Sequence, residues 1–293
     1  MALFVGAGLS MGQGLYPSWP GLVNALNNQL SVPKHITNDL DIAQYVKDHD
    51  AQGYEDVIRR YFAGWKPTMQ KAVSVMAALP TRLILTPNYD DALSEAFHAR
   101  APERVVLDDL RVTDLEGTGL QIFHIHGFIN TQSNDPLRIV LTRKDFEHYY
   151  QEAKTVEILL HNFFLSRHVV FFGFSFNDQY VVEVLSRVAE YERRLPEKPQ
   201  SPYPRRFACL PLPRTTTKIN DKLDLKRVAE MENRMTQLGV IPIWYDPEHD
   251  HQELVELIRE WSAGVRARPS AAYERSDGAI GGGHGGSIRG GRS

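Results

Sequence analysis

The residues best suited to chemistry fall in four short clusters, each directly after an apolar run. Gly6-Ala7-Gly8, with Ser10 close behind, follows Leu3-Phe4-Val5, and Thr86-Pro87-Asn88-Tyr89-Asp90 follows Leu83-Ile84-Leu85. His124-Ile125-His126-Gly127 follows Gln121-Ile122-Phe123, and Gly173-Phe174-Ser175-Phe176-Asn177-Asp178 follows Val169-Val170-Phe171-Phe172. A glycine turn lets phosphate approach the backbone closely. Its N–H groups, with a helix start beside it, form an anion site. The first cluster therefore points to a nucleotide, although a bare strand-to-helix connection has the same composition. The dinucleotide fingerprint Gly-x-Gly-x-x-Gly would need glycine at position 11, where Met11 stands.

Each of the other clusters has a chemical and a structural reading. His126, at a strand terminus before Gly127, suits acid–base work near neutral pH. Asn88 either holds a ligand or shapes a turn, and Asp90 or Asp91 could instead cap the helix that carries Leu93, Ala96 and Phe97. Ser175 can bind phosphate or cap, and Asp178 flanks the same helix start. His124 and His126 share one strand face by the period of two, yet no carboxylate or third histidine completes a metal site, so none is expected. His124, one pleat deeper, reads as a hydrogen-bonded core residue. His249 and His251, in an acidic turn, read as solvated cap residues.

These clusters require elements that bring them to one edge. Apolar runs at 3–5, 82–86, 104–106, 121–125, 138–141, 169–172, 207–210 and 240–244 read as strands. Between them lie helical faces: Tyr54, Val57, Ile58, Tyr61 and Phe62; then Tyr180, Val181, Val184, Leu185 and Val188; then Leu254, Val255, Ile258 and Trp261. Alternation of this kind predicts an α/β fold: a Rossmann-like, mostly parallel sheet with helices on both faces. In such sheets ligands gather at the carboxyl ends of the strands, where all four clusters lie. Residues 20–80 contain only helical segments and are expected to form an insertion or small lobe over the glycine turn. The domain is expected to span 1–265, with an extended proline-rich loop at 196–204 and a flexible glycine-rich tail at 266–293.

Composition narrows the functional classes. A net charge of −3 carries no footprint for nucleic acid or an anionic membrane. No apolar run approaches the roughly 20 residues of a membrane helix, and no basic-then-apolar leader is present, so the expected compartment is the cytoplasm. Cys209 is the only cysteine, which excludes a thiolate zinc ribbon, and its apolar surroundings mark it as a core residue.

Taken together, Phe-Val-Gly-Ala-Gly-Leu-Ser with Gly-Leu-Tyr-Pro-Ser-Trp, Thr-Pro-Asn-Tyr-Asp, Ile-His-Gly and Gly-Phe-Ser-Phe-Asn-Asp resemble the motifs of sirtuins in order and spacing. More narrowly, the chain resembles the sirtuin-like domains of bacterial anti-phage defence proteins, over about residues 1–261. The resemblance implies that NAD is the substrate. It implies that Gly6, Ala7, Gly8 and Ser10 hold the pyrophosphate region, and it adds Trp19 to the cofactor-binding set. Asn88 and Asp90 would hold the nicotinamide ribose, with Asn88 orienting a water or the ribose, and His126 would be the catalytic histidine. Gly173, Ser175 and Asp178 would contact the adenosine side, and Tyr245 would approach adenine.

Departures from the family pattern select the reaction. Protein deacylase sirtuins carry a four-cysteine zinc module that this chain cannot make. They have Pro-Asp-Phe-Arg where Pro17-Ser18-Trp19-Pro20 stands, and Gln where Pro87 stands. The resemblance therefore implies an NAD+ hydrolase releasing nicotinamide and ADP-ribose, acting in abortive infection as a homo-oligomer or with an activating partner defence protein. The alternatives are a protein deacylase or ADP-ribosyltransferase using the same cleft, and a non-catalytic NAD or ADP-ribose sensor.

Overall fold

The computed structural model describes residues 1–9, 19–63, 71–130, 133, 135–195, 205–217 and 220–264. Ser10, the 196–204 segment and the glycine-rich stretch from 266 lie outside the described residues. Seven strands form one parallel sheet: β1 (Ala2–Val5), β2 (Leu83–Thr86), β3 (Glu103–Val106), β4 (Gln121–His124), β5 (Val169–Phe172), β6 (Arg206–Pro211) and, after a short hairpin, β9 (Val240–Tyr245). Their order is β3-β4-β2-β1-β5-β6-β9, and every pairing is parallel.

The reason for the apolar runs is burial on both faces. Along β1, Ala2 and Phe4 enter one core while Leu3 and Val5 enter the other. In β5, Val169 and Phe171 are divided in the same way from Val170 and Phe172. The first face is covered by α7 (Thr155–Ser166), α8 (Gln179–Arg194) and α9 (Leu225–Gln237). The second is covered by α4 (Lys71–Met76), α5 (Ala92–Ala96) and α10 (Glu248–Ser262).

Helices α1 (Trp19–Leu30), α2 (Asp39–His49) and α3 (Ala51–Ala63) build a third core. It closes on Tyr89, Ile129, Ile139 and Leu141, which emerge at the carboxyl edge of the sheet. Ion pairs join this lobe to α6 (Arg143–Glu147): Lys47 with Asp145 at 2.8 Å, Lys144 with Asp48 at 2.9 Å, and Arg143 with Asp41. Asp145 also completes a capping box with Thr142, so one carboxylate starts α6 and binds the lobe.

One sequence expectation fails locally, and one element was not expected. The run 138–141 forms no strand; it makes a single antiparallel bridge, Gly127 with Ile139. Its polar groups brace the carboxyl edge instead: Val140 N–H donates to the His126 carbonyl at 2.9 Å, and Tyr89 donates its hydroxyl proton to the Val140 carbonyl at 2.7 Å. The polar stretch after β6 folds as a hairpin of β7 (Arg214–Thr217) and β8 (Asn220–Leu223), which no apolar alternation announced.

Candidate active site

β1 is where the strand order turns. The chain leaves it for β2, β3 and β4 on one side and returns to β5 on the other. A crevice at the carboxyl ends of β1 and β5 follows from that topology. There the glycines of the two turns lie against each other. A Cβ on Gly6 would stand 2.6 Å from the Gly173 carbonyl oxygen, and one on Gly8 2.7 Å from it. Gly6 N–H donates to the Phe172 carbonyl and Gly8 N–H to the Gly173 carbonyl, each at 2.8 Å. Close backbone packing is thus one reason for glycine here, and those two N–H groups are engaged within the protein. Ala7–Leu9 form one 3-10 turn in which Gly8 is exposed and Ala7 half-buried, and Ser175, two residues beyond Gly173, is exposed.

The β2 and β4 exits are tied to this pair. Thr86 donates its hydroxyl proton to the Val5 carbonyl at 2.7 Å and accepts from Asn88 N–H at 3.1 Å. Asn88 and Asp90 are both buried, and Asp90 accepts from Ala92 N–H at 2.9 Å at the start of α5. Asp91 faces outward and pairs with Arg104.

The two histidines end on different faces, which corrects the shared face expected of them. β4 stops at His124, and the turn that follows rotates His126 away. His124 keeps the side of Ile122, whereas His126 lies against Phe146 and Tyr150 of the opposite core, with ring centroids 5.2 and 6.0 Å away.

His126 is held at one nitrogen. Its Nε2 stands 2.8 Å from the Tyr150 hydroxyl and 3.6 Å from Asp178 Oδ2. Asp178 spends its other oxygen capping α8, accepting from Tyr180 and Val181 N–H at 3.0 and 3.2 Å. At 3.6 Å the carboxylate acts by charge rather than as a hydrogen-bond acceptor. Its negative oxygen favours a proton on Nε2, which then donates to Tyr150. Burial holds the Tyr150 phenol well above its ordinary range, so it remains neutral. Burial also lowers the His126 pKa, opposed by Asp178, so the ring is neutral at pH 7. Among the described residues the unpaired polar side-chain atoms sealed from water are Tyr54 Oη and His124 Nε2. The contacts of the His126 ring nitrogens among the described residues are both made by Nε2, and the residue is 4% exposed.

Tyr150 was not legible as a site residue. It stands in a π-helical turn, His148–Glu152, which continues α6 and swings the phenol onto His126. A sequence signal for the segment does exist in the capping-box spacing Thr142-x-x-Asp145 that starts it. Asp178, expected toward adenosine, faces His126 with one carboxylate oxygen and caps α8 with the other. Trp19 sits at the lobe, half-buried, donating to Asp39 at 2.9 Å. Tyr245 is buried in the core two strands beyond β5, with its hydroxyl 3.1 Å from His251 Nδ1. That places it roughly 10 Å along the sheet from the crevice. Among the described residues no group of three or more His, Cys, Asp or Glu could hold a metal, and no helix is long and apolar enough to cross a membrane.

A family model described as a SIR2-like domain matches residues 82–233, from the start of β2 into α9. That span contains Asn88, Asp90, His126, Tyr150, Gly173, Ser175 and Asp178. The chain is 28% identical over 193 residues to the NAD(+) hydrolase ThsA of Enterococcus faecium, covering 64% of this chain and 39% of that protein. It is 28% identical over 200 residues to the protein of the same name from Bacillus cereus, covering 66% and 40%. A third, from Acinetobacter baumannii, is 28% identical over 194 residues, covering 64% and 39%. The chain spans about two fifths of the length of these curated relatives.

Proposed function

This chain belongs to the SIR2-like domain family, and on that premise we propose that it is an NAD+ hydrolase. The reaction breaks the bond between nicotinamide and ribose C1 and adds water, giving nicotinamide, ADP-ribose and a proton. The observation that carries this reading is the grouping of Asn88, Asp90 and His126 as buried polar side chains at adjacent strand ends. A cleft built to bind only phosphates has no use for a buried neutral histidine beside a carboxylate. The naming of the relatives as NAD(+) hydrolases supports the same substrate.

Cleavage of this bond passes through an oxocarbenium-like state, as glycoside cleavage does. The protein's task is to orient the ribose and the water and to meet the developing charge with fixed dipoles. Asn88 orients the water or the ribose. His126 Nδ1 accepts from a ribose hydroxyl, while Asp178 offsets positive charge that gathers on the ring. Asp90 supports the nicotinamide ribose from the α5 start. The β1–β5 crevice, with Gly6, Ala7, Gly8, Gly173 and Ser175, takes the pyrophosphate and adenosine end. Ser10, Trp19 and Tyr245 remain in the cofactor-binding set we propose, with Trp19 acting from the lobe. No metal takes part in this scheme.

The motif resemblance to anti-phage proteins supports a role as a defence effector that depletes cytoplasmic NAD+, switched on by self-assembly or by a partner protein. The test is release of nicotinamide from NAD+ by the purified chain. Asn88→Ala and His126→Ala should each abolish it, and activity surviving in both would overturn the assignment.

A further inference from the structure

His124 has no part in the scheme above, yet it is a fully buried polar side chain bonded to the backbone of Asn88. Its Nδ1 lies 2.9 Å from the Asn88 carbonyl oxygen. A carbonyl can only accept, so the proton resides on Nδ1 and Nε2 carries a bare lone pair. That lone pair is sealed from solvent and unpaired. Burying an acceptor without a donor is costly. A leucine would fill comparable space with no such penalty, so what the imidazole adds is the Nδ1–H directed at Asn88.

The surroundings keep the ring in that state. Burial pulls its pKa down to about 4, aided by Arg104 and opposed by the Asn88 carbonyl and by Asp91, so the ring is neutral at pH 7. Phe128 meets it edge-on with centroids 5.2 Å apart, and the Arg104 guanidinium lies 3.8 Å over the other ring. Arg104 in turn pairs with Asp91. Asn88 is thereby gripped at both backbone groups, its N–H by Thr86 and its carbonyl by His124.

We propose that His124 is a positioning residue for Asn88: by fixing the Asn88 carbonyl from inside the fold, it sets where the Asn88 side chain stands. The proposal rests on the reading of Asn88 as a group that orients the reacting water or ribose. Misplacing such a group by about 1 Å can cost about a hundredfold in rate.

The test compares the full chain with His124→Leu and His124→Asn, whose amide nitrogen stands where Nδ1 stood. Turnover of NAD+, calorimetric binding of ADP-ribose and thermal melts are measured on each. His124→Leu should lose about ten- to hundredfold in kcat, with ADP-ribose affinity changed by less than about threefold. His124→Asn should recover most of that loss. Wild-type kcat in His124→Leu, or an Asn variant no better than the Leu variant, overturns the proposal. If the unmodified protein cleaves no NAD+, the hydrolase reading fails separately, and nitrogen-15 imidazole spectra of that protein decide the role of His124. A ring protonated at Nδ1 and protected from exchange supports it; a proton on Nε2 or a charged ring at pH 7 overturns it. The same spectra decide if His124→Leu does not fold.

Discussion

Asp178→Asn separates the two roles that one carboxylate plays. Oδ1 caps α8, and asparagine caps a helix as well as aspartate does, so stability should change by less than about 0.5 kcal/mol. Oδ2 faces His126 Nε2 at 3.6 Å, and the substitution removes its charge. A full charge pair at that distance is worth about 4–5 kcal/mol at an effective dielectric of about 20. His126 gains only part of a charge in the transition state, and Asp178 keeps some contact with water, its side chain being 17% exposed. About 2 kcal/mol is therefore expected, which is roughly thirtyfold in kcat. Loss of the carboxylate also removes what opposes the burial effect on His126, so the acidic limb of the rate profile should move to lower pH. Nicotinamide release across pH gives both numbers, and a thermal melt checks the cap. Asp178→Ala serves as control, because it should lose the activity and also about 1 kcal/mol of stability. A folded Asp178→Asn with wild-type kcat and an unmoved acidic limb would refute the argument.

Other perturbations probe separate parts of the account. Tyr150→Phe keeps the ring and deletes the hydroxyl 2.8 Å from His126 Nε2, so kcat should fall about tenfold with KM little changed; a change confined to KM would place Tyr150 against substrate instead. Gly8→Ala brings a Cβ to 2.7 Å from a backbone oxygen and should cost about 1–3 kcal/mol, read as a lowered melting temperature; an unchanged melt would mean that the turns have room. His124 folds with its pKa near 4, below its ordinary 6.5, so its contribution is complete above about pH 6.5 and is lost as pH falls. That loss should reach about 3 kcal/mol near pH 4, and His124→Asn should flatten this part of a stability–pH curve measured by denaturant.

Much of the fold was legible because a doubly covered parallel sheet leaves continuous apolar runs. Phe4 and Val5 serve opposite cores, so neither position tolerates a polar residue. The four strand-end clusters were legible for the same reason, since each marks where such a run stops. The chemistry of His126 was only half legible. Its place at the end of β4 could be read, but the turn that rotates it away from His124 has no signature in a period of two. Tyr150 reaches it through a π turn whose sequence, His-Tyr-Tyr-Gln-Glu, reads like ordinary helix. Asp178 looked like a cap and is one. That its second oxygen faces a histidine from another strand is a tertiary fact. Gly6 and Gly8 suggested a phosphate cradle, whereas part of their need for a bare Cα comes from Gly173, about 165 residues away in sequence. The β7–β8 hairpin was not legible because its strands carry no apolar alternation.

The central claim is that this chain cleaves NAD+ using Asn88 and His126. The most direct measurement is chromatographic analysis of NAD+ incubated with the unmodified protein, Asn88→Ala and His126→Ala at equal concentration. The account predicts equal amounts of nicotinamide and ADP-ribose from the unmodified protein and none above background from either variant, with all three melting alike. Undiminished release by the folded variants, or intact NAD+ with the unmodified protein, would contradict it.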